Sequence, residues 1–166
     1  MPYTDRFIAT DNLITHLSTV IETISDASIQ ASYAGFLSVS AVTVYELAIK
    51  DIFNEFALKK NKVFGAFVEN HFDRINGRIK LKDLKEQHIP LFGSKYLDKF
   101  KKELEQKENS IFSTSRVSVK SNYGNLIICR HEFVHEGSPT LTVTDVMNSY
   151  QYGKEVIHSL YNAMKR

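Results

Sequence analysis

The sequence predicts an all-α bundle of five to seven helices. Apolar residues recur at i, i+3, i+4 and i+7 through most of the chain, and residues suited to capping stand where those runs begin and end. Chain breakers are scarce, with seven Gly and three Pro in 166 residues. The length suits one domain spanning 1–166, and 43% apolar with 24% charged residues is the balance of a globular chain with a real core. That balance excludes a disordered tail or a fibrous repeat.

The elements follow in order. Asp11 is placed to cap a first helix with Leu13, Ile14, Leu17, Val20, Ile21 and Ile24 on one face. A second helix is expected from about Tyr33 to Lys60. It is apolar on most sides, with a polar stripe at Thr43, Glu46, Lys50 and Asn54, which marks it as the central helix. A third, Val63 to Ile79, puts Phe64, Phe67, Val68, Phe72 and Ile75 on one side, and Gly77 marks its end. Pro90 and Gly93 punctuate a connector, after which Ser94 caps a helix through about Glu108. The Ser- and Thr-containing stretch 109–118 reads as a loop. Val119 to Glu136 reads as a helix closed by Gly137, with Ser138 and Pro139 as a stop. Thr142 or Thr144 caps the last helix, with Asp145 in its first turn and Val146, Met147, Tyr150, Val156, Ile157, Leu160 and Tyr161 on its apolar side.

Cys129 is the single cysteine, so neither an internal disulfide nor a multi-cysteine zinc site is available. There is no leader-like start and no apolar run of membrane-span length, so a cytoplasmic protein without membrane attachment is expected. Charge is unevenly spread. Between Lys59 and Lys102 twelve Lys and Arg face five Asp and Glu, a net +7, whereas the rest of the chain carries nine against fourteen, a net −5. Such a basic middle is either a solvated helix surface or the footprint of a polyanion, with Arg74, Arg78 and Lys82 as candidate contacts.

One string concentrates chemistry: Cys129-Arg130-His131-Glu132-Phe133-Val134-His135-Glu136-Gly137. It admits three readings. It is an ordinary helix end, with His135 in the last turn where the helix dipole favours a cation. Or it is H-E-x-x-H, two zinc-ligand histidines one turn apart with Glu132 as base, which needs a third ligand from His158 or Glu155. Or the working pair is Arg130 and His135, spaced R-x4-H.

In the third reading the chain resembles the HEPN superfamily, most closely its RiboL-PSP branch. The quoted residues fit that family's signature: an Arg followed by a polar residue, a His five positions after the Arg, a late helix and then Gly. The order of a long apolar second helix, a basic third segment and a capped last helix fits as well. The resemblance implies a HEPN-like bundle and a metal-independent endoribonuclease without cofactors. It implies cleavage by 2′-hydroxyl attack to a 2′,3′-cyclic phosphate, a homodimer with two motifs facing one cleft, and a toxin or antiviral defence role with an antitoxin or defence-system partner protein. The alternative it leaves is a non-catalytic module that binds RNA or a partner.

Five residues turn a helix by about 500°, so Arg130 and His135 point ~140° apart and do not share a narrow face; either the helix distorts near its end or a second copy completes the site. A His transfers protons near neutral pH, and an Arg offers a fixed charge and two-point donors to phosphate oxygens. Arg130 and His135 are therefore the catalytic candidates, with His131 beside them. Glu46 either holds Arg130 or pairs with Lys50 one turn away. Asn122 and Tyr123, one to two turns before Arg130, are candidates to line the same cleft.

Overall fold

The computed structural model describes residues 2–165. Its α-helices are α1 (Ile8–Val20), α2 (Ala27–Leu58), α3 (Lys62–Phe72), α4 (Leu81–Asp83), α5 (Ser94–Ser115), α6 (Val119–Glu136) and α7 (Val143–Met164), and no strand occurs among the described residues. The all-α expectation holds.

The central helix is α2, as its composition requires. Leu37, Ala41, Tyr45, Ala48, Ile49, Ile52, Phe53 and Ala57 are buried along its length. α6 runs antiparallel to it: the Tyr123 ring stacks on Tyr45 at 5.5 Å, and ten residues later Phe133 reaches Phe36. α7 runs parallel to α2: Tyr150 also stacks on Tyr45, at 5.6 Å, and further along both helices Ile52 and Phe56 line one cavity with Tyr161 and Met164. The three phenols end on backbone carbonyls: Tyr45 donates to Tyr150, Tyr123 to Ile79 and Tyr150 to Phe7. Burial thus comes without orphaned hydroxyls. Gly153 makes the stack possible, since a Cβ there would meet the Tyr45 hydroxyl at 2.6 Å.

Side chains and a glycine close the ends of α6 and α7, and Gly137 and Thr142 do so as the sequence predicts. Ser118 accepts the Ser121 N–H at the start of α6. Gly137 ends α6 at φ 75°, returning its N–H to the Phe133 carbonyl. Thr142 and Asp145 form a reciprocal capping box on α7.

Elsewhere the boundaries differ. Asp11 does not cap α1, which begins at Ile8 after a 3-10 turn, Tyr3–Phe7, whose Tyr3 and Phe7 are buried. Asp11 instead pairs with Lys154 of α7 at 2.5 Å. α2 starts at Ala27 rather than Tyr33, because Asp26 accepts the Ser28 and Ile29 N–H groups and caps it earlier. α3 stops at Phe72, and Ile75 and Ile79 are buried from a turn that passes through positive φ at Asn76 and Gly77. The expected connector is helical: α4 continues into a π turn, Leu84–His88, and a 3-10 turn, Ile89–Phe92. Ser94 makes no side-chain cap, and α5 runs seven residues past Glu108. Ile111 packs against the core, while Ser113, Thr114 and Ser115 donate to carbonyls three or four residues back. Hydroxyls satisfied inside the helix do not break it.

Candidate functional site

The motif occupies the last two turns of α6, beyond the tyrosine stack. Phe133 anchors this end. Its ring sits where a Cβ on Gly35 would lie only 2.1 Å from it, so the missing side chain of Gly35 lets α6 settle onto α2. Phe36 meets the same ring edge-on at 5.3 Å.

Around the α6 axis the motif divides. Taking Arg130 as reference, the buried residues Tyr123 and Leu126 lie within about 40° of it. Arg130 therefore leaves the inner half of the helix. It is half-buried and, among the described residues, has neither an ion pair nor a side-chain hydrogen bond. His131 and His135 lie on the outer half and are exposed. Their rings are 4.4 Å apart and tilted by 51°. With Ile128, which is 50% exposed, they form one outward stripe about 60° wide. Within one chain, no hydrogen bond joins Arg130 to either histidine among the described residues.

A match to a known protein family decides what this helix order and motif belong to: the family model for RiboL-PSP-HEPN matches residues 5–166. The chain belongs to the RiboL-PSP-HEPN family. No curated protein and no solved structure matches it. Membership in RiboL-PSP-HEPN points to an RNase-like or RNA-binding module.

Other expectations about this RiboL-PSP-HEPN chain need correction. Glu46 does not hold Arg130. Its carboxylate pairs with Lys50 at 2.9 Å and accepts the Gly77 N–H at 2.6 Å, so it fixes the turn after α3. Tyr123 does not line a cleft; it is fully buried in the stack. Asn122 lies about 12 Å along α6 from Arg130, donating to the Ser118 carbonyl and accepting from Ser149.

The third zinc ligand proposed for H-E-x-x-H is out of reach. Asn122 and Ser149 lie side by side, and from that level His131 and His135 extend one way while His158 extends the other, a separation of roughly 30 Å along the bundle. His158 Nδ1 is engaged by the Tyr3 hydroxyl at 2.7 Å, and Glu155 pairs with Lys107 at 3.2 Å. No group of three His, Cys, Asp or Glu side chains among the described residues has metal-binding spacing. Glu132 has one carboxylate oxygen buried with no hydrogen-bond partner among the described residues.

The basic candidates separate. Arg74 and Arg78 line one groove, together with His71 and Gln87, whereas Lys82 faces Glu86 at 3.9 Å. Sequence reasoning also put Phe67 on the apolar side of α3. It is 64% exposed, stacked on His71. Among the described residues no helix is long and apolar enough to cross a membrane.

Proposed function

We propose that this chain is a metal-independent endoribonuclease that works as a homodimer on single-stranded or loop RNA. One observation carries the reading. At the R-x4-H positions stand an arginine with no partner among the described residues and an exposed pair of histidines whose rings lie 4.4 Å apart. A cation left unpaired at a half-buried position is suited to a ligand anion, and adjacent imidazoles are suited to moving protons near neutral pH.

In the step we propose, an imidazole of the His131–His135 cluster takes the proton of a ribose 2′-hydroxyl. The 2′-oxygen bonds to phosphorus, and the bond from phosphorus to the 5′-oxygen breaks. A second imidazole protonates that oxygen, leaving a 2′,3′-cyclic phosphate and a 5′-hydroxyl. Arg130 stabilises the added charge on the phosphorane oxygens through two N–H donors.

The second chain enters because one helix points Arg130 and His135 apart. Support comes from two exposed stripes beside the motif: Ile128, His131 and His135 on α6, and Ile29, Tyr33 and Phe36 on α2, with Phe36 62% exposed. A two-fold axis near α6 would cover both and bring two motifs to one cleft. A toxin or defence role, with a cognate inhibitor or defence partner, belongs to the same reading.

The test is incubation of the purified protein with RNA in EDTA, beside His135→Ala. Cleavage that persists in EDTA and is lost in the variant is the expected result. Binding without cleavage would instead make the chain a binding module, and activity abolished by the chelator would revive a metal mechanism.

A further inference from the structure

The turn after α3 is held at four backbone points by side chains from elsewhere in the fold. Lys50 donates to the Asp73 carbonyl and Glu46 accepts the Gly77 N–H. His88 is bonded to the Arg78 carbonyl at 2.7 Å, and Tyr123 donates to the Ile79 carbonyl at 2.6 Å. Since a carbonyl only accepts, His88 Nε2 must carry a proton. Two of these four side chains, His88 and Tyr123, are buried, and His88 sits at the end of the π turn. A turn that buries Ile75 and Ile79 and exposes Arg74 and Arg78 is thereby fixed in place.

What the fixed turn presents is Arg74 and Arg78. Both are exposed and neither has an ion pair among the described residues. They line a groove of about 450 Å³ with Asn70, His71, Gln87 and His88, and no Asp or Glu lines it. At its rim Phe67 lies nearly parallel to His71, ring centres 6.1 Å apart and planes 16° apart. A rigid cationic groove with amides inside and an exposed flat ring at its edge matches the needs of a single strand. Phosphates meet the guanidinium groups, and an unstacked base lies on the ring.

We propose that this groove is a second RNA contact, separate from the motif, which holds a single-stranded segment through Arg74 and Arg78 and stacks one base on Phe67. The inference rests on reading the chain as RNA-acting and deepens it. The groove lies on the order of 15–20 Å from the motif along the bundle, counted from Glu46 to Gly35 on α2, so one strand can reach both. It confers preference for single strands, since a base paired in a duplex is not free to stack.

The test uses a fluorescein-labelled 2′-O-methyl RNA, which lacks the attacking hydroxyl and so reads binding apart from cleavage. Phe67→Leu keeps apolar volume at an exposed position and is expected to weaken binding about five- to a hundredfold. Arg74→Ala with Arg78→Ala is expected to lower the salt dependence of log affinity by about 1.4, two phosphate contacts at ~0.7 each. A duplex of the same sequence should bind more weakly and be indifferent to Phe67. Unchanged affinity and salt slope in both variants, or no binding of the probe by the intact protein, would overturn the proposal. If the variants lose binding while the intact protein cleaves no RNA, the groove stands and the nuclease reading falls; cleavage with unaltered binding in the variants gives the reverse.

Discussion

Arg130 and its neighbours carry distinct expectations because they face different ways. Arg130→Lys keeps the charge but loses the planar two-point contact, so RNA cleavage should fall about a hundredfold. A rate equal to wild type would argue against direct phosphate contact. Glu132→Gln separates the chemistries. In an H-E-x-x-H hydrolase that carboxylate is the base, whereas here one of its oxygens is buried without a partner. The expected outcome is undiminished RNA cleavage and unchanged or higher thermal stability. Much of this was legible beforehand, since turning α6 at 100° per residue already separates Arg130 from His135. Not legible was that Arg130 is half-buried while the histidines stand exposed, because that depends on where α2 lies. For Glu46 the pairing with Lys50 one turn away was among the readings, but Gly77 reaches it only through the fold.

At the scale of elements, both ends of α6 and the start of α7 could be read to within two residues because Gly137 and Thr142 carry local chemistry. Within 109–118 the helix to Ser115 could not, because Ser and Thr favour turns in isolation, whereas here Ile111 packs against the core and the hydroxyls bond back along the helix; only 116–118 leave it. The π turn at Leu84–His88 follows no repeating apolar period and so left no signal. Seating of α6 on α2 yields a direct expectation. Gly35→Ala puts a methyl against the Phe133 ring, and the ring atoms met are not a free end that swings aside. Overpacking of this kind costs about 1–3 kcal/mol. Urea midpoints should drop accordingly, and RNA cleavage should fall further than the stability loss explains, since the displaced segment bears the motif. Phe133→Leu in the same chain should recover part of both. Wild-type stability in Gly35→Ala would mean that the close approach is not real.

For the whole molecule, the tyrosine stack at the junction of α2, α6 and α7 sets a pH window. Burial raises the hydroxyl pKa of Tyr45, Tyr123 and Tyr150 well above the ordinary phenol value, and pushes Tyr3 up to about 12 with help from Tyr161. The unfolded chain releases these protons near pH ~10 while the folded one retains them, so stability is full below ~10 and is lost as pH rises beyond it. His158 moves the other way, pushed below its ordinary value by burial against the opposing pull of Glu155. Its contribution is present above ~6.5 and is lost as pH falls from there through the lowered value. Urea midpoints across pH should therefore show a plateau between roughly 6.5 and 10. A midpoint that holds steady well into the alkaline range would contradict the stack as drawn.

In the function proposed above, two chains build one RNA-cleaving cleft from Arg130 and His135. The most direct measurement is cleavage of a single-stranded RNA in EDTA by Arg130→Ala and His135→Ala chains, each alone and after co-expression as a heterodimer. Each variant alone should lose about two to four orders of magnitude in rate, the range for removing a positioned proton donor or an anion-stabilising group. The co-expressed pair should recover a substantial part, because one chain supplies the intact arginine and the other the intact histidine. Wild-type rates in either variant alone, or a heterodimer as inactive as its parents, would contradict the shared cleft.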